Sequence, residues 1–258
     1  MSLFVRNERS LKEFKDAYPI VSTLVVIHLS LWLLINFLQI PLAVELYQWG
    51  AGHNYSISQN GEYWRLITPI FLHGNLMHAL FNSFALVLFG PALEQMLGKY
   101  KFLIAYLIAG VIGNIGTYVM DPTSFTVHIG ASGAIYGLFG IYIFMVLFRK
   151  SLIDSGSAQI IVIIFFIGLV MTFIRPGINI YAHIFGFIGG VALGPIILSN
   201  VRPFSIYRNP QPYHPNDSSV RFNPNRWKKR RFTRKIKKNI WWIILIILAI
   251  LGIFSRLF

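Results

Sequence analysis

The chain has 258 residues, of which 55% are hydrophobic and only 12% charged. A soluble globular chain carries about a quarter charged residues, so this composition excludes an ordinary water-soluble domain and points to a membrane protein. The net charge is +14 and there is no cysteine, which excludes disulfides, thiol nucleophiles and cysteine metal sites.

Residues 1–19 mix both charges and lack the compact apolar core of a cleavable signal, so they read as a cytoplasmic or interfacial segment. The first apolar run is then expected to remain as an anchor. A spanning helix needs about 20 mostly apolar residues. Six such runs lie near 20–40, 68–92, 101–121, 131–148, 157–174 and 180–199. Backbone polar groups in lipid must be bonded internally, so these runs predict helices rather than open sheet. Residues 41–67 form a long loop rich in amphipathic aromatics (Tyr47, Trp49, Tyr55, Tyr63, Trp64), which favours partial embedding at the interface. Residues 201–239 are rich in Pro, Asn and Arg and predict a basic cytoplasmic linker, ending in Arg226-Trp227-Lys228-Lys229-Arg230-Arg231. Residues 240–258 predict a seventh transmembrane helix. The fold class is an all-α polytopic membrane protein, with a six-helix core over 20–200 and the seventh helix at the C-terminus.

Lys and Arg mark the cytoplasmic side. With the N-terminus cytoplasmic, 20 of the 23 basic residues fall inside, and only Arg65, Arg175 and Arg256 fall outside. The basic tail suits anionic lipid beside a membrane helix better than nucleic acid. A plain topology signal for the seventh helix serves it equally well.

Polar groups within a bilayer are costly and are functional candidates. In this topology Ser132, flanked by Gly130 and Gly133, sits at the outer end of the fourth run. His183 enters the sixth from the same side, and His78 and Asn82 occupy the outer half of the second. Four polar side chains on three helices therefore converge on one stratum. Gly133 and Gly137, and Ala182, Gly186, Gly190 and Gly194, form small-residue stripes that let helix backbones approach closely. A neighbouring imidazole can take the serine proton and return it to a leaving amine. The spans offer almost no carboxylate beyond Glu94 and Asp121 at their edges, so a Ser132/His183 dyad is expected. The Ser132 backbone N–H, His78 and Asn82 are candidate oxyanion donors. Tyr136, one turn after Ser132, either stacks on the imidazole or is a plain core tyrosine. No HExxH occurs, and His73 and His78 do not share a helix face, so neither a metal nor a cofactor is expected.

Four segments together carry a resemblance. Trp64-Arg65, His73-Gly-Asn-Leu-Met-His78-Ala-Leu-Phe-Asn82, Gly130-Ala-Ser-Gly-Ala-Ile-Tyr-Gly-Leu-Phe-Gly140 and Ala182-His183-Ile-Phe-Gly186 are similar to the rhomboid intramembrane serine proteases, in family order over about residues 20–200. The resemblance implies a water-filled cavity open to the outside, Ser132 as nucleophile, His183 as general base, and His78 and Asn82 as oxyanion residues. It implies Tyr136 packed on the histidine, and Trp64 and Arg65 as the structural motif of the first loop. His73 corresponds to a loop-anchoring histidine. The fifth helix and the loop at Arg175 to Asn179 would gate lateral entry of transmembrane substrates. The linker and seventh helix resemble a six-plus-one arrangement found in some bacterial rhomboids, which implies a bacterial plasma membrane. A non-catalytic rhomboid-like chaperone or adaptor is the alternative.

Overall fold

The computed structural model of the protein describes residues 3–205. The expected seventh helix, the basic cluster and most of the linker lie outside the described residues. Within them, chain order runs α1 (Leu11–Ala17), α2 (Pro19–Trp32, continued by a π-turn at Leu33–Phe37), α3 (Pro41–Gly50), α4 (Asn54–Asn60), α5 (Leu76–Leu97), α6 (Lys99–Met120), α7 (Ser132–Phe148), α8 (Ser155–Ile174) and α9 (Ile180–Ile197). Two two-residue strands, β1 (Gly52–His53) and β2 (Val127–His128), pair antiparallel. Helix α2 with its π-turn, α5, α6, α8 and α9 are each long and apolar enough to cross a membrane, and α7 is a shorter apolar helix. The chain is an all-α integral multi-pass membrane protein, as its composition indicates.

Helix starts follow local chemistry. Asn75, Asp154 and Asn179 each accept a backbone N–H from the first turn of α5, α8 and α9 respectively, the usual role of a short polar side chain at this position. Helix α2 begins at Pro19 with no such cap of its own. Glu94 of α5 supplies it from across the bundle, accepting Ile20 N–H and Val21 N–H at 2.9 Å each. Its side chain is buried. Glu94→Ala leaves two donors without an acceptor and should cost about 2–3 kcal/mol, read as earlier unfolding in a detergent denaturation series. Glu94→Gln, which keeps one acceptor, should cost less.

A second repair lies nearby. Pro91 inside α5 has no N–H, so the Val87 carbonyl one turn back loses its helical partner. The Arg6 guanidinium donates to that carbonyl at 2.9 Å. The N-terminal segment is thus tied to the bundle, and Leu3 N–H also donates to Ser157 Oγ of α8 at 2.9 Å.

The second apolar run starts as a helix at Leu76, not at 68. Thr68–Phe71 is a single 3-10 turn begun by Pro69, and Gly74 with the Asn75 cap restarts the chain as α5. Residues 41–67 are more regular than a loop, containing α3, α4 and a 3-10 turn at Tyr63–Leu66. Pro41 opens α3, and Gly61 in the left-handed region (φ 68°) closes α4.

Helix α7 sits centrally, with Gly133 to Tyr142 buried without a break. It contacts α9 backbone to backbone. A Cβ on Gly186 would collide with the Gly133 carbonyl, one on Gly190 with the Gly137 carbonyl, and one on Gly140 with the Phe187 carbonyl. Lipid removes most of the hydrophobic drive for helix association, so this close backbone approach is what joins the pair.

Candidate active site

Ser132 is the first residue of α7. The first N–H groups of a helix have no intrahelical partner and carry its positive end. The turn that delivers it is built on Gly130, whose φ of 125° favours glycine. Gly130 N–H donates to Pro69 O at 2.9 Å, tying this turn to the chain before α5. A Cβ on Gly130 would stand 2.6 Å from Cε1 and Nε2 of His78, so the missing side chain is filled by that ring. His78 thereby lies beside the turn that carries Ser132. Asn82 follows one turn along α5 and donates one Nδ2 hydrogen to the His78 carbonyl at 2.9 Å. Its second hydrogen is not used in that bond.

His183 is buried in the first turn of α9. Its ring is stacked on Tyr136 with centroids 4.1 Å apart and planes 15° from parallel. Its Nδ1 lies 2.8 Å from Thr172 Oγ1 of α8. Gly133, next to Ser132, faces Ala182, next to His183, at a distance that would put a Cβ 3.1 Å from the Ala182 carbonyl. Ser132 and His183 each flank this contact, one on either side of the α7–α9 seam. Among the described residues no hydrogen bond joins the two side chains.

Trp64 and Arg65 are not part of this cluster. The Arg65 guanidinium donates to the carbonyls of Gln48 at 2.8 Å and Ala51 at 2.7 Å, and its Nε pairs with Glu62. That guanidinium holds the Glu62 carboxyl below the usual carboxylate range. Trp64 donates to the Trp49 carbonyl at 3.0 Å, and the two indoles stack at 5.7 Å. These residues pin α3 to the 3-10 turn at Tyr63–Leu66. Arg65→Lys cannot serve two carbonyls and a carboxylate from one planar fork. It should expose the 48–66 segment to limited proteolysis while the spanning helices remain intact.

Two features escape the sequence pattern. His28, inside the first apolar run, is fully buried, with its ring 4.8 Å from His73, which is in turn 5.0 Å from His78. The Tyr106 hydroxyl is 3.5 Å from His28 Nε2. His73 anchors the chain through its carbonyl, which accepts from Asn36 at 3.0 Å. Thr172 is the other feature: nothing distinguishes it in sequence from an ordinary hydroxyl bonded back along its own helix.

A model of the rhomboid domain matches residues 60–200. The chain belongs to the rhomboid family. It is 46% identical over 194 residues to a Bacillus subtilis (strain 168) protein named "Putative rhomboid protease YdcA", covering 74% of this chain and 94% of that one. It is 39% identical over 145 residues to "Rhomboid protease GluP" of the same organism, covering 56% of this chain but only 28% of GluP. "RHOMBOID-like protein 6, mitochondrial" of Arabidopsis thaliana is 31% identical over 186 residues, 71% of this chain and 60% of that protein. In this rhomboid, Ser132, Tyr136, His183 and the turn against His78 all fall within the matched domain.

Proposed function

We propose that this rhomboid is an intramembrane serine endopeptidase with a Ser132/His183 dyad. The observation that carries the reading is the pairing across the α7–α9 seam: Gly133 and Gly186 in backbone contact, with His183 held flat on Tyr136, one turn along α7 from Ser132. Ser132 Oγ attacks the scissile carbonyl while its proton passes to His183, which later protonates the leaving amine. The Ser132 N–H at the positive end of α7, with His78 and the free N–H of Asn82, receives the oxyanion. Gly130 leaves room for the His78 ring, Gly133 lets α9 approach α7, and Trp64 and Arg65 hold the flanking segment.

The core is residues 20–200, preceded by a cytoplasmic or interfacial segment at 1–19. It is followed by a basic stretch at 201–239, whose charge suits anionic lipid, and an apolar stretch at 240–258. The basic residues support a cytoplasmic N-terminus, so the site end faces away from the cytoplasm of a bacterial plasma membrane. The substrates are transmembrane proteins, cut near that outer face.

A fluorophosphonate probe on the folded chain tests this. Covalent labelling of Ser132 that disappears in His183→Asn is the expected result. A well-folded protein that takes no label would instead support a non-catalytic chaperone or adaptor that binds membrane segments.

A further inference from the structure

Thr172 Oγ1 is shared three ways. It lies 2.8 Å from His183 Nδ1, 2.9 Å from the Tyr136 hydroxyl and 2.9 Å from the Gly168 carbonyl one turn back along α8. A hydroxyl has one proton to donate and two lone pairs to accept with. With all three contacts made as hydrogen bonds, the Thr172 proton goes to the Gly168 carbonyl, which can only accept. Both other groups must then donate into Thr172 Oγ1: Tyr136 through its O–H and His183 through an Nδ1–H. A neutral imidazole carries a single N–H, which leaves the lone pair on His183 Nε2.

We propose that Thr172 is a positioning residue that fixes His183 as the Nδ1-protonated tautomer, leaving Nε2 to accept the Ser132 proton. The assignment rests on the proposed dyad chemistry. Burial supports it, since Thr172 is 1% and His183 6% exposed, so water has little access to the shared hydroxyl. Gly168 supports it independently. A Cβ there would stand 2.9 Å from the Tyr136 hydroxyl oxygen, so the phenol reaches Thr172 only because position 168 has no side chain. One residue of α8 thus orients both the imidazole and the ring stacked on it.

A carboxylate performs this task in a serine triad. A neutral hydroxyl does it without placing a charge within the bilayer. As the Ser132 Oγ–carbon bond forms, the serine proton moves to Nε2 and the imidazolium keeps its Nδ1–H on Thr172. That bond becomes charge-assisted and strengthens at this stage, so its loss should fall on kcat rather than KM.

The test is 15N NMR of the full chain, labelled at histidine and held in nanodiscs without substrate, with His183→Gln identifying the signal. The Nδ1–H signature is expected in the wild type. Thr172→Val, which keeps the shape and removes the hydroxyl, should lose that signature and lower kcat by about 10- to 100-fold with KM little changed. Thr172→Ser should restore both. An Nε2–H tautomer in the wild type would overturn the proposal, as would a Thr172→Val protein with the wild-type signature and kcat. The tautomer is read without turnover. A chain with the Nδ1–H signature that cleaves nothing would sink the protease reading and leave the role of Thr172 standing.

Discussion

Ser132→Ala is expected to lower kcat for a transmembrane substrate in liposomes by at least about 10⁴-fold, with the helical content and thermal unfolding of the protein unchanged. The hydroxyl makes no hydrogen bond among the described residues, so its removal orphans no buried partner. A loss of that size with intact folding can only come from chemistry. His183→Ala should fall to a similar floor, because nucleophile and base act as one unit and their losses do not add. It should also unfold more readily, since it leaves Thr172 and the face of Tyr136 without the imidazole. Cleavage by Ser132→Ala at the wild-type rate would remove the nucleophile assignment.

Gly186→Val is expected to damage stability and activity together. The new Cβ would fall on the Gly133 carbonyl, which belongs to the first turn of α7, one residue from Ser132. Neither backbone can turn aside as a flexible side chain would, so α7 and α9 must separate. Overpacking of this kind costs about 3 kcal/mol, and a displacement near 1 Å at the reacting groups costs about 100-fold in rate. Gly156→Ala is the control. Its Cβ would meet Asp154 Oδ1 at 3.4 Å, an ordinary contact, so thermal unfolding and cleavage should both stay at wild-type values.

The spanning helices were legible because hydropathy alone defines them in a membrane protein. The start of α5 was not: Ile67, Ile70, Phe71 and Leu72 keep the chain apolar, and the break depends on Pro69 and the Gly74-Asn75 cap. The 41–67 segment hid α3 and α4 because both are short and carry mixed side chains on exposed surfaces, so neither a long apolar run nor a clean period marks them. At the candidate site, the helix order gives Ser132 and His183 one expected depth, and the glycine spacing predicts that their helices approach closely. Their spacing also left two uses open for Tyr136, and the ring stack on His183 is what the three-dimensional arrangement adds. Thr172 and His28 stayed hidden for a shared reason. A single polar residue in an apolar run shows its partner only when the helices are assembled.

Helix α8 has its own consequence for the order of events. Its buried residues are Ser157, Ile161, Phe165 and Thr172, a single stripe along twenty residues. Ile163, Phe166, Ile167, Val170 and Phe173 stand exposed around the rest. Polar ties hold it near both ends, Leu3 to Ser157 at one and Thr172 to His183 at the other. Swinging the Thr172 end outward while the Ser157 end stays in place would open a wedge beside His183 and would withdraw Thr172 Oγ1 from Nδ1 in the same movement. The imidazole would then be free to change tautomer while the wedge is open, and would regain its proposed orientation when α8 returns. In the proposed protease, substrate admission past α8 and proton transfer at His183 would thereby be separated in time by the seating of one helix.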